Sequence, residues 1–326
     1  MAKKFIVITG IVLVLVFVFL FVGSGKEAEN ITWGVNFSQK QATYLNLDWQ
    51  EVYLALLEDL NVKNLRIAAH WNLLEPADQQ FSFEGLDWQM DKAASYGAKV
   101  LLAVGMKTPR WPECHIPEWA EKLPKEELRA QVLEMLKAVV LRYKEHEALF
   151  AWQVENEPLL PFGECPFRDF SFLQDEVELV QSLDAEHEVL TSDSGEMSLW
   201  FNMARLGDKV AVTLYQKVWS EELNTYLSLP LPSVFYARKA WLVKQLFGKE
   251  VVVGELQAEP WVQGELENST FQEQEKTMTL TQLQENIAFA KSTGLDTFYL
   301  WGGEWWYFMK ETHNREEFWQ EVKNIF

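Results

Sequence analysis

Histidine and cysteine are scarce in this sequence of 326 residues, which has five histidines and two cysteines. The histidines show neither H-x-H nor H-E-x-x-H spacing, so nothing favours a metal-dependent hydrolase, and we expect no metal and no other cofactor. A G-x-S-x-G motif is absent as well, which leaves serine hydrolase chemistry without its strand-to-helix turn. The chemistry of this protein therefore has to come from other side chains.

Basic residues are also in deficit. The chain has 29 lysines and arginines against 48 aspartates and glutamates, for a formal net charge of −19. Such a charge repels nucleic acids and strongly anionic substrates, so we expect no nucleic-acid partner. A neutral ligand is compatible with it.

The N-terminal segment, residues 1–25, differs from the rest of the chain. An uncharged apolar run of eighteen residues, 5–22, follows Lys3 and Lys4. Its length is close to the minimum for crossing a bilayer, and the lysines favour a cytoplasmic N-terminus. We therefore predict a single-pass transmembrane anchor in the cell membrane with the remainder outside. The alternative is a cleaved signal and a secreted protein, because small residues occupy positions 23–25.

From residue 31 onward, short β-rich apolar runs alternate with amphipathic helical stretches. Runs such as "KVLLAV" and "EVVVGE" are almost continuously apolar, as expected of parallel strands covered on both faces. Eight strands followed by helices predict an α/β fold, a single (β/α)8 TIM-barrel domain over residues 31–326. A doubly wound sheet is the runner-up, although no G-x-G-x-x-G follows the first strand. The predicted strands are 31–37, 64–70, 99–105, 149–156, 188–192, 209–215, 250–255 and 297–301.

Barrel active sites lie where the strands end, and here the strand ends are polar, acidic and rich in tryptophan. The loops after the third and fourth strands carry Cys114 and Cys165. Because these loops are neighbours on one face, and an exported protein can keep a disulfide, we predict a bridge between the two cysteines.

Two glutamates dominate this list of strand ends. Glu157 follows the fourth strand and Glu255 ends the seventh, so both side chains can point into one cleft. Two facing carboxylates are what glycoside hydrolysis requires, since one protonates the leaving oxygen while the other attacks or activates water. The plainer interpretation, that each glutamate only pairs with a nearby lysine or arginine, is harder to hold for two glutamates in one tryptophan-lined cleft.

The motif "NEP" after the fourth strand, paired with a glutamate at the tip of the seventh, resembles the clan A glycoside hydrolases, which are retaining (β/α)8 enzymes. The resemblance covers residues 31 to about 310 and implies that Glu157 is the general acid/base and Glu255 the nucleophile. It also implies that Asn156 binds the sugar 2-hydroxyl. "AAHWNLLEP" followed by "FSFEGLDW" further resembles the β-galactosidase and xylosidase branches of that clan, without fixing a family.

The same resemblance implies three supporting residues. Arg66 in the second strand matches an arginine that supports the nucleophile, and Tyr215 matches a tyrosine that hydrogen-bonds it. Trp301, at the end of the eighth strand, matches a tryptophan that floors the subsite beside the cleaved bond. Glu155 receives no catalytic role; we expect it to pair behind the site.

Further sugar contacts are expected from side chains near the strand ends. Flat aromatic faces suit the apolar faces of sugar rings, which favours Trp111 and Trp305 in addition to Trp301. His70 and His115 are the two histidines near the cleft and are candidate sugar donors. An ordinary core or loop role is the alternative for each of them.

Together these features predict a retaining β-glycosidase that cleaves β-linked oligo- or polysaccharide by double displacement through a covalent glycosyl-enzyme. The expected partner is a neutral carbohydrate substrate, and we expect a monomer. Two alternatives remain, a cell-surface transglycosylase that uses the same residues and an inactive barrel that binds carbohydrate. The sequence leaves the sugar, the linkage and the choice between exo and endo cleavage open.

Overall fold

A computed structural model describes residues 2–221 and 223–326, with the side chains of residues 2–8 outside the description. Its strands are β1 (Thr32–Phe37), β2 (Asn64–Ala68), β3 (Lys99–Val104), β4 (Leu149–Val154), β5 (Glu188–Asp193), β6 (Lys209–Leu214), β7 (Lys217–Ser220), β8 (Thr225–Ser228), β9 (Glu250–Gln257) and β10 (Thr297–Trp301). Its helices are α1 (Ala2–Phe21), α2 (Gln39–Tyr44), α3 (Trp49–Glu58), α4 (Trp71–Leu74), α5 (Glu84–Ser95), α6 (Lys125–Tyr143), α7 (Phe170–Leu183), α8 (Phe201–Leu206), α9 (Ser233–Phe247), α10 (Phe271–Gln274), α11 (Leu280–Ser292), α12 (Gly303–His313) and α13 (Glu317–Lys323).

Eight of the described strands close into a parallel barrel in the order β1-β10-β9-β6-β5-β4-β3-β2. The predicted single-domain (β/α)8 barrel is therefore confirmed. The strands β7 and β8 form an antiparallel hairpin in the loop after β6, so the seventh and eighth barrel strands are β9 and β10. This hairpin was not predicted, because strands of four residues are too short to give a clear hydrophobic alternation.

Alternation along the strands separates two apolar layers. In β3, Val100 and Leu102 belong to the large core between sheet and helices, whereas Leu101 belongs to a second cluster. That cluster takes one residue from each of six strands and fills the barrel interior, as the period-2 geometry of strands requires. Its members are Leu101, Ala151, Leu190, Ala211, Val252 and Tyr299.

The next interior layer is polar. It consists of residues two positions further along the same strands, which point to the same side of the sheet. Gln153 follows Ala151, Ser192 follows Leu190 and Thr213 follows Ala211. All three are buried. This layer forms the floor of the strand-end face.

The N-terminal helix α1 ends against α9. The Phe21 and Phe235 rings stack with centroids 5.2 Å apart, and Phe19 meets Trp241 edge-on at 5.8 Å. Among the residues with described side chains, from residue 9 onward, no helix combines the length and hydrophobicity needed to cross a membrane. The predicted anchor starts at Phe5, so its first four residues lie outside that description.

Candidate active site

Local backbone irregularities aim the two predicted catalytic glutamates. The pairing register between β6 and β9 shifts by one residue. Val212 pairs with Val253, but Thr213 pairs with Glu255 instead of Gly254. Bulges of this kind re-aim side chains next to active sites. After β4 ends, Glu155 and Glu157 both adopt positive φ, at 60° and 42°. Strict strand alternation is thereby broken at the NEP motif.

Glu255 is held by two donors. The guanidinium Nη1 of Arg66 donates to its Oε1 at 2.9 Å, and the hydroxyl of Tyr215 donates to its Oε2 at 3.0 Å. Arg66 and Glu255 are both buried, at 2% and 5% exposure. Both oxygens of Glu255 therefore accept a hydrogen bond, one of them from a guanidinium, and the carboxylate is held in a fixed orientation.

Arg66 joins Glu255 to three further polar side chains. Its Nη1 also donates to Asn36 Oδ1 at 2.7 Å, its Nη2 to Asn156 Oδ1 at 2.9 Å and its Nε to Gln153 Oε1 at 2.8 Å. The planar fork of arginine fits such a set of acceptors, whereas a lysine presents a single nitrogen. Arg66 thus fixes Glu255 and Asn156 relative to each other.

Glu157 has a different environment. Within the described chain no basic side chain pairs with its carboxylate, and Thr213 Oγ1 lies 3.4 Å from its Oε1. Lys107 Nζ instead donates to the Glu157 backbone carbonyl at 2.8 Å, and the Ser192 hydroxyl accepts from the Glu157 N–H. Burial, followed by the negative charge of Glu255, raises the pKa of Glu157 well above its ordinary value. Glu157 therefore keeps its proton to a higher pH than an ordinary glutamate.

A third carboxylate, Glu113, lies beside this pair and was not predicted. Its Oε2 accepts from Asn156 Nδ2 at 3.0 Å. Burial raises the pKa of Glu113 to about 7, and the charge of Glu255 acts in the same direction. Asn156 is therefore held from both sides, by Arg66 on its oxygen and by Glu113 on its nitrogen.

Arg110 forms a second buried charge cluster. It pairs with Glu259, which follows β9, and its Nη2 donates to Glu304 Oε2 at 2.9 Å. The Arg110 guanidinium also lies over the Trp301 ring, 4.0 Å from the ring centroid. One face of the predicted sugar platform is thus covered by an arginine.

A small pocket reaches between the two arginines. It is lined by residues of the β1 and β2 ends and by the loop after β3, namely Asn36, Phe37, Ser38, Arg66, Ile67, Ala68, Pro109, Arg110 and Trp301. Its lining supplies amide, hydroxyl, guanidinium and indole groups, and its volume of about 10 Å³ is close to the space that one water molecule needs.

His70 and His115 lie together at the edge of this region. Their ring centroids are 4.1 Å apart, and His70 contacts Ser38 Oγ at 3.3 Å and Thr108 Oγ1 at 3.0 Å. Burial lowers the pKa of His70 well below its usual value and that of His115 to about 3, so both rings are neutral. Lys40 Nζ donates to His115 Nδ1 at 2.8 Å, which places the ring hydrogen on Nε2, a buried atom without a described partner.

The two other predicted tryptophans lie in different surroundings. Trp111 is 61% exposed and meets Phe162 edge-on with centroids 5.9 Å apart. Trp305 is 1% exposed; its Nε1 donates to Gln274 Oε1 and its ring packs on Phe318 at 4.5 Å. Trp111 is free to contact a ligand at the rim, whereas the described contacts of Trp305 are those of a core residue.

The cysteines form the predicted disulfide, with the Cys114 and Cys165 Cα atoms 5.2 Å apart. It ties the loop after β3 to the loop after β4, next to Glu113. Behind the site, the Glu155 carboxylate accepts from the Met106 and Lys107 N–H groups at 2.7 Å each. Glu155 thus fixes the start of the loop that carries the first cysteine.

Sequence reasoning missed Arg110, Glu113, Glu259 and Glu304, although each lies in a strand-end loop that was singled out. Their sequence contexts "PRWPEC", "QAEPW" and "WGGEWW" carried the information that charge collects there, but not which charges pair. No group of histidine, cysteine, aspartate or glutamate side chains in the described chain is arranged to hold a metal ion.

Comparison with known proteins agrees with this geometry. Residues 43–128 match the family model of family-42 glycoside hydrolases, described as β-galactosidase. The chain resembles clan A glycoside hydrolases. The β-galactosidase BgaB of a Geobacillus species is 26% identical over 136 residues, which are 36% of this chain and 20% of the relative. The aligned region is therefore about a fifth of that protein's length.

Solved structures extend the likeness to the whole barrel. A β-galactosidase from Halorubrum lacusprofundi is 14% identical with a TM-score of 0.57, over 83% of this chain and 52% of that chain. An endo-β-1,4-xylanase from Gloeophyllum trabeum is 15% identical with a TM-score of 0.57, over 84% of this chain and 85% of that chain. At these identities the likeness establishes the shared barrel fold.

Proposed function

We propose that this protein is a retaining β-glycosidase with Glu157 as the general acid/base and Glu255 as the nucleophile. The observation that carries the proposal is the unequal environment of two buried carboxylates at the ends of β4 and β9. Glu255 accepts from Arg66 and Tyr215, which hold its carboxylate in the fixed orientation that attack needs. Burial and a neighbouring charge raise the pKa of Glu157, which favours the protonated form needed to release the leaving group.

The reaction has two displacements. Glu255 attacks the anomeric carbon as the bond to the leaving oxygen breaks, and Glu157 transfers its proton to that oxygen. A covalent glycosyl-enzyme with inverted configuration results. Glu157, now a carboxylate, then takes a proton from water, whose oxygen attacks the anomeric carbon and frees Glu255. The second inversion restores the β configuration.

The other contacts have supporting roles in this proposal. Arg66 and Tyr215 position the nucleophile, and the free N–H of Asn156 is left for the sugar 2-hydroxyl. The small pocket beside Arg66, Arg110 and Trp301 has a volume of about 10 Å³, so it takes no more than one hydroxyl of the sugar that is being cleaved. His70 and His115 border this pocket as neutral imidazoles, and Trp111 meets the substrate at the rim. We propose a β-galactoside as the substrate, because the matching family model and the curated relatives are described as β-galactosidases.

Chemical rescue tests the two roles separately. With 2,4-dinitrophenyl β-galactoside and azide, Glu255→Gly is expected to yield the α-glycosyl azide, because azide occupies the place of the missing nucleophile. Glu157→Ala is expected to yield the β-glycosyl azide, because azide then attacks the glycosyl-enzyme without base assistance. Glu196→Gln serves as the matched control, since Glu196 is a partly buried carboxylate of the same region that we place outside the chemistry.

The outcomes discriminate among the alternatives. Rescue by neither variant, with no turnover of aryl β-galactosides, β-glucosides, β-xylosides or β-mannosides by the unmodified protein, would refute the glycosidase proposal and favour a carbohydrate-binding barrel. Products longer than the substrate would identify a transglycosylase. An α-configured first product, observed by NMR, would show inversion and refute the double displacement.

We also propose that the apolar run of residues 5–22 anchors the protein in the cell membrane with the barrel outside, and that the protein is a monomer. The support is the sequence itself, an uncharged run that follows two lysines. Retention in membranes after carbonate extraction, with the barrel accessible to external protease, is expected. Release into the medium of a chain that lacks residues 1–25 would show signal cleavage instead, and sedimentation of the released barrel would measure its mass.

A further inference from the structure

A second cavity lies on the same end of the barrel, between the first turns of α3 and α5. We propose that it binds a neutral saccharide, a site distinct from the one that holds the reacting sugar. The choice of ligand class rests on the proposed function, because a glycosidase acts next to glycan chains. The cavity itself is independent of that function.

The cavity has a volume of about 460 Å³. This falls within the range of about 300–1,000 Å³ that is typical of small-molecule sites. Its characteristic lining residues are Trp49, Trp88, Leu73, Gln39, Gln50 and Gln89. The floor comes from Ala68, Ala69 and His70, where β2 ends.

The apolar part of the lining is aromatic. Trp49 and Trp88 meet edge-on with ring centroids 5.0 Å apart, and both are partly exposed. Leu73, another lining residue, is 41% exposed. Indole faces pack against the C–H faces of pyranose rings, whereas an ordinary core would bury these side chains completely.

The polar part consists largely of amides that have unused hydrogen-bonding capacity. Gln89 Nε2 donates to Gly85 O at 3.1 Å and to Gln39 Oε1 at 3.4 Å. Within the described chain, Gln39 Nε2 and the whole Gln50 amide make no protein hydrogen bond. Amides donate and accept, so they match sugar hydroxyls, which do both.

The charges around the cavity exclude most other ligands. No lysine or arginine is among its lining residues in the described chain, and Glu84 contributes a carboxylate. His70 is neutral, since burial lowers its pKa. A phosphate, sulfate or uronate would find no cation among the lining residues, the nearby Lys92 lying over the Trp88 ring at 5.8 Å, whereas a neutral glycan needs none.

The position of the cavity gives the site a use. Ala68 lines both this cavity and the small pocket beside Arg66, and His70 stands between the cavity and Thr108. A glycan bound at Trp49 is thus held at the strand-end face that carries Glu157 and Glu255. The site would keep the enzyme on a polymeric or branched substrate.

Affinity electrophoresis of the inactive full-length Glu255→Gln protein tests the proposal. The probes are soluble β-1,4-galactan, xylan, mannan and mixed-linkage β-glucan. We expect at least one of these glycans to retard the protein. Adding Trp49→Ala should raise the dissociation constant about tenfold, which corresponds to a loss of about 1.4 kcal/mol of binding free energy. Gln50→Ala, at an exposed position whose side chain makes no described hydrogen bond, is expected to weaken binding as well. Trp241→Ala on α9 is the control for loss of a surface tryptophan.

Two results would overturn the inference: no retardation by any of the four glycans, or retardation that Trp49→Ala and Gln50→Ala leave unchanged. Circular dichroism confirms that each variant is folded. Turnover of aryl glycosides by the unmodified protein is measured separately. Trp49-dependent binding without turnover would refute the proposed glycosidase activity and support the second saccharide site. Turnover without Trp49-dependent binding would support the glycosidase activity and refute the second site.

Discussion

Replacing Arg66 with lysine should test the arrangement of the site most directly. Arg66 donates four hydrogen bonds from three nitrogens, to Asn36, Gln153, Asn156 and Glu255. Lysine keeps the positive charge but offers one nitrogen at the end of a flexible stem. One nitrogen cannot occupy three positions of a planar fork, so at least two acceptors should lose their partner.

The magnitude follows from burial. A buried acceptor left without a donor costs about 1–3 kcal/mol, so two of them should cost about 2–6 kcal/mol of unfolding free energy. Since folded domains are stable by only about 5–15 kcal/mol, this is a large fraction of the total. Displacement of Glu255 by about 1 Å should also lower kcat roughly 100-fold.

Arg142→Lys is the matched control. Arg142 also makes a forked contact, to Asp87, but its side chain is 44% exposed. An exposed ion pair of this kind contributes no more than about 1 kcal/mol, so the control should lose little stability and no activity. Urea unfolding followed by tryptophan fluorescence measures the stability, and the kinetics of aryl β-galactoside hydrolysis measure the activity. If Arg66→Lys loses no more stability than Arg142→Lys, Arg66 does not organise the site as argued.

Three further predictions concern the disulfide and the buried acids. The Cys114–Cys165 disulfide joins positions that are 51 residues apart, so its reduction should lower the unfolding free energy by about 4 kcal/mol through the entropy of the unfolded chain. An unchanged melting temperature in the presence of a reductant would contradict this. Because burial raises the pKa of Glu157, kcat/KM should fall as pH rises through that pKa, and Glu157→Gln should lose this alkaline limb; a variant that retains it would assign the acid elsewhere. Burial also raises the pKa values of the neighbouring Glu155 and Glu176, so these groups bind protons more tightly in the folded state than in the unfolded state. Stability should therefore decline as pH rises above about 5. Glu176→Gln should flatten this decline in urea midpoints, and an equal slope in both proteins would refute it.

Strand positions were predictable because parallel strands covered on both faces must be apolar for several residues. The eighth strand, β10, has the predicted bounds Thr297–Trp301, and the other seven barrel strands lie within a few residues of prediction. Differences collect at the C-terminal ends, such as Leu149–Val154 against the predicted 149–156. There the backbone leaves the ladder to present side chains, and periodicity carries no information.

The charged contacts were less predictable. That glutamates and tryptophans collect at one end followed from the strand count, but Glu113 could not be placed beside Asn156 without the loop conformation. Trp305 illustrates the opposite case. It follows the eighth strand by four residues and was expected in the cleft, yet helix α12 begins at Gly303 and turns it toward Phe318.

The sequence alone determined the barrel, its eight strands and the neighbouring loops that carry the disulfide, because hydrophobic period and chain order leave one economical closure. It also determined which two carboxylates stand at strand ends. Only the tertiary structure decided how they differ. A glutamate has the same formula at 157 and at 255, and its charge state depends on the donors and the solvent around it. Those groups come from strands and loops far apart in the chain, so their meeting is a property of the folded barrel.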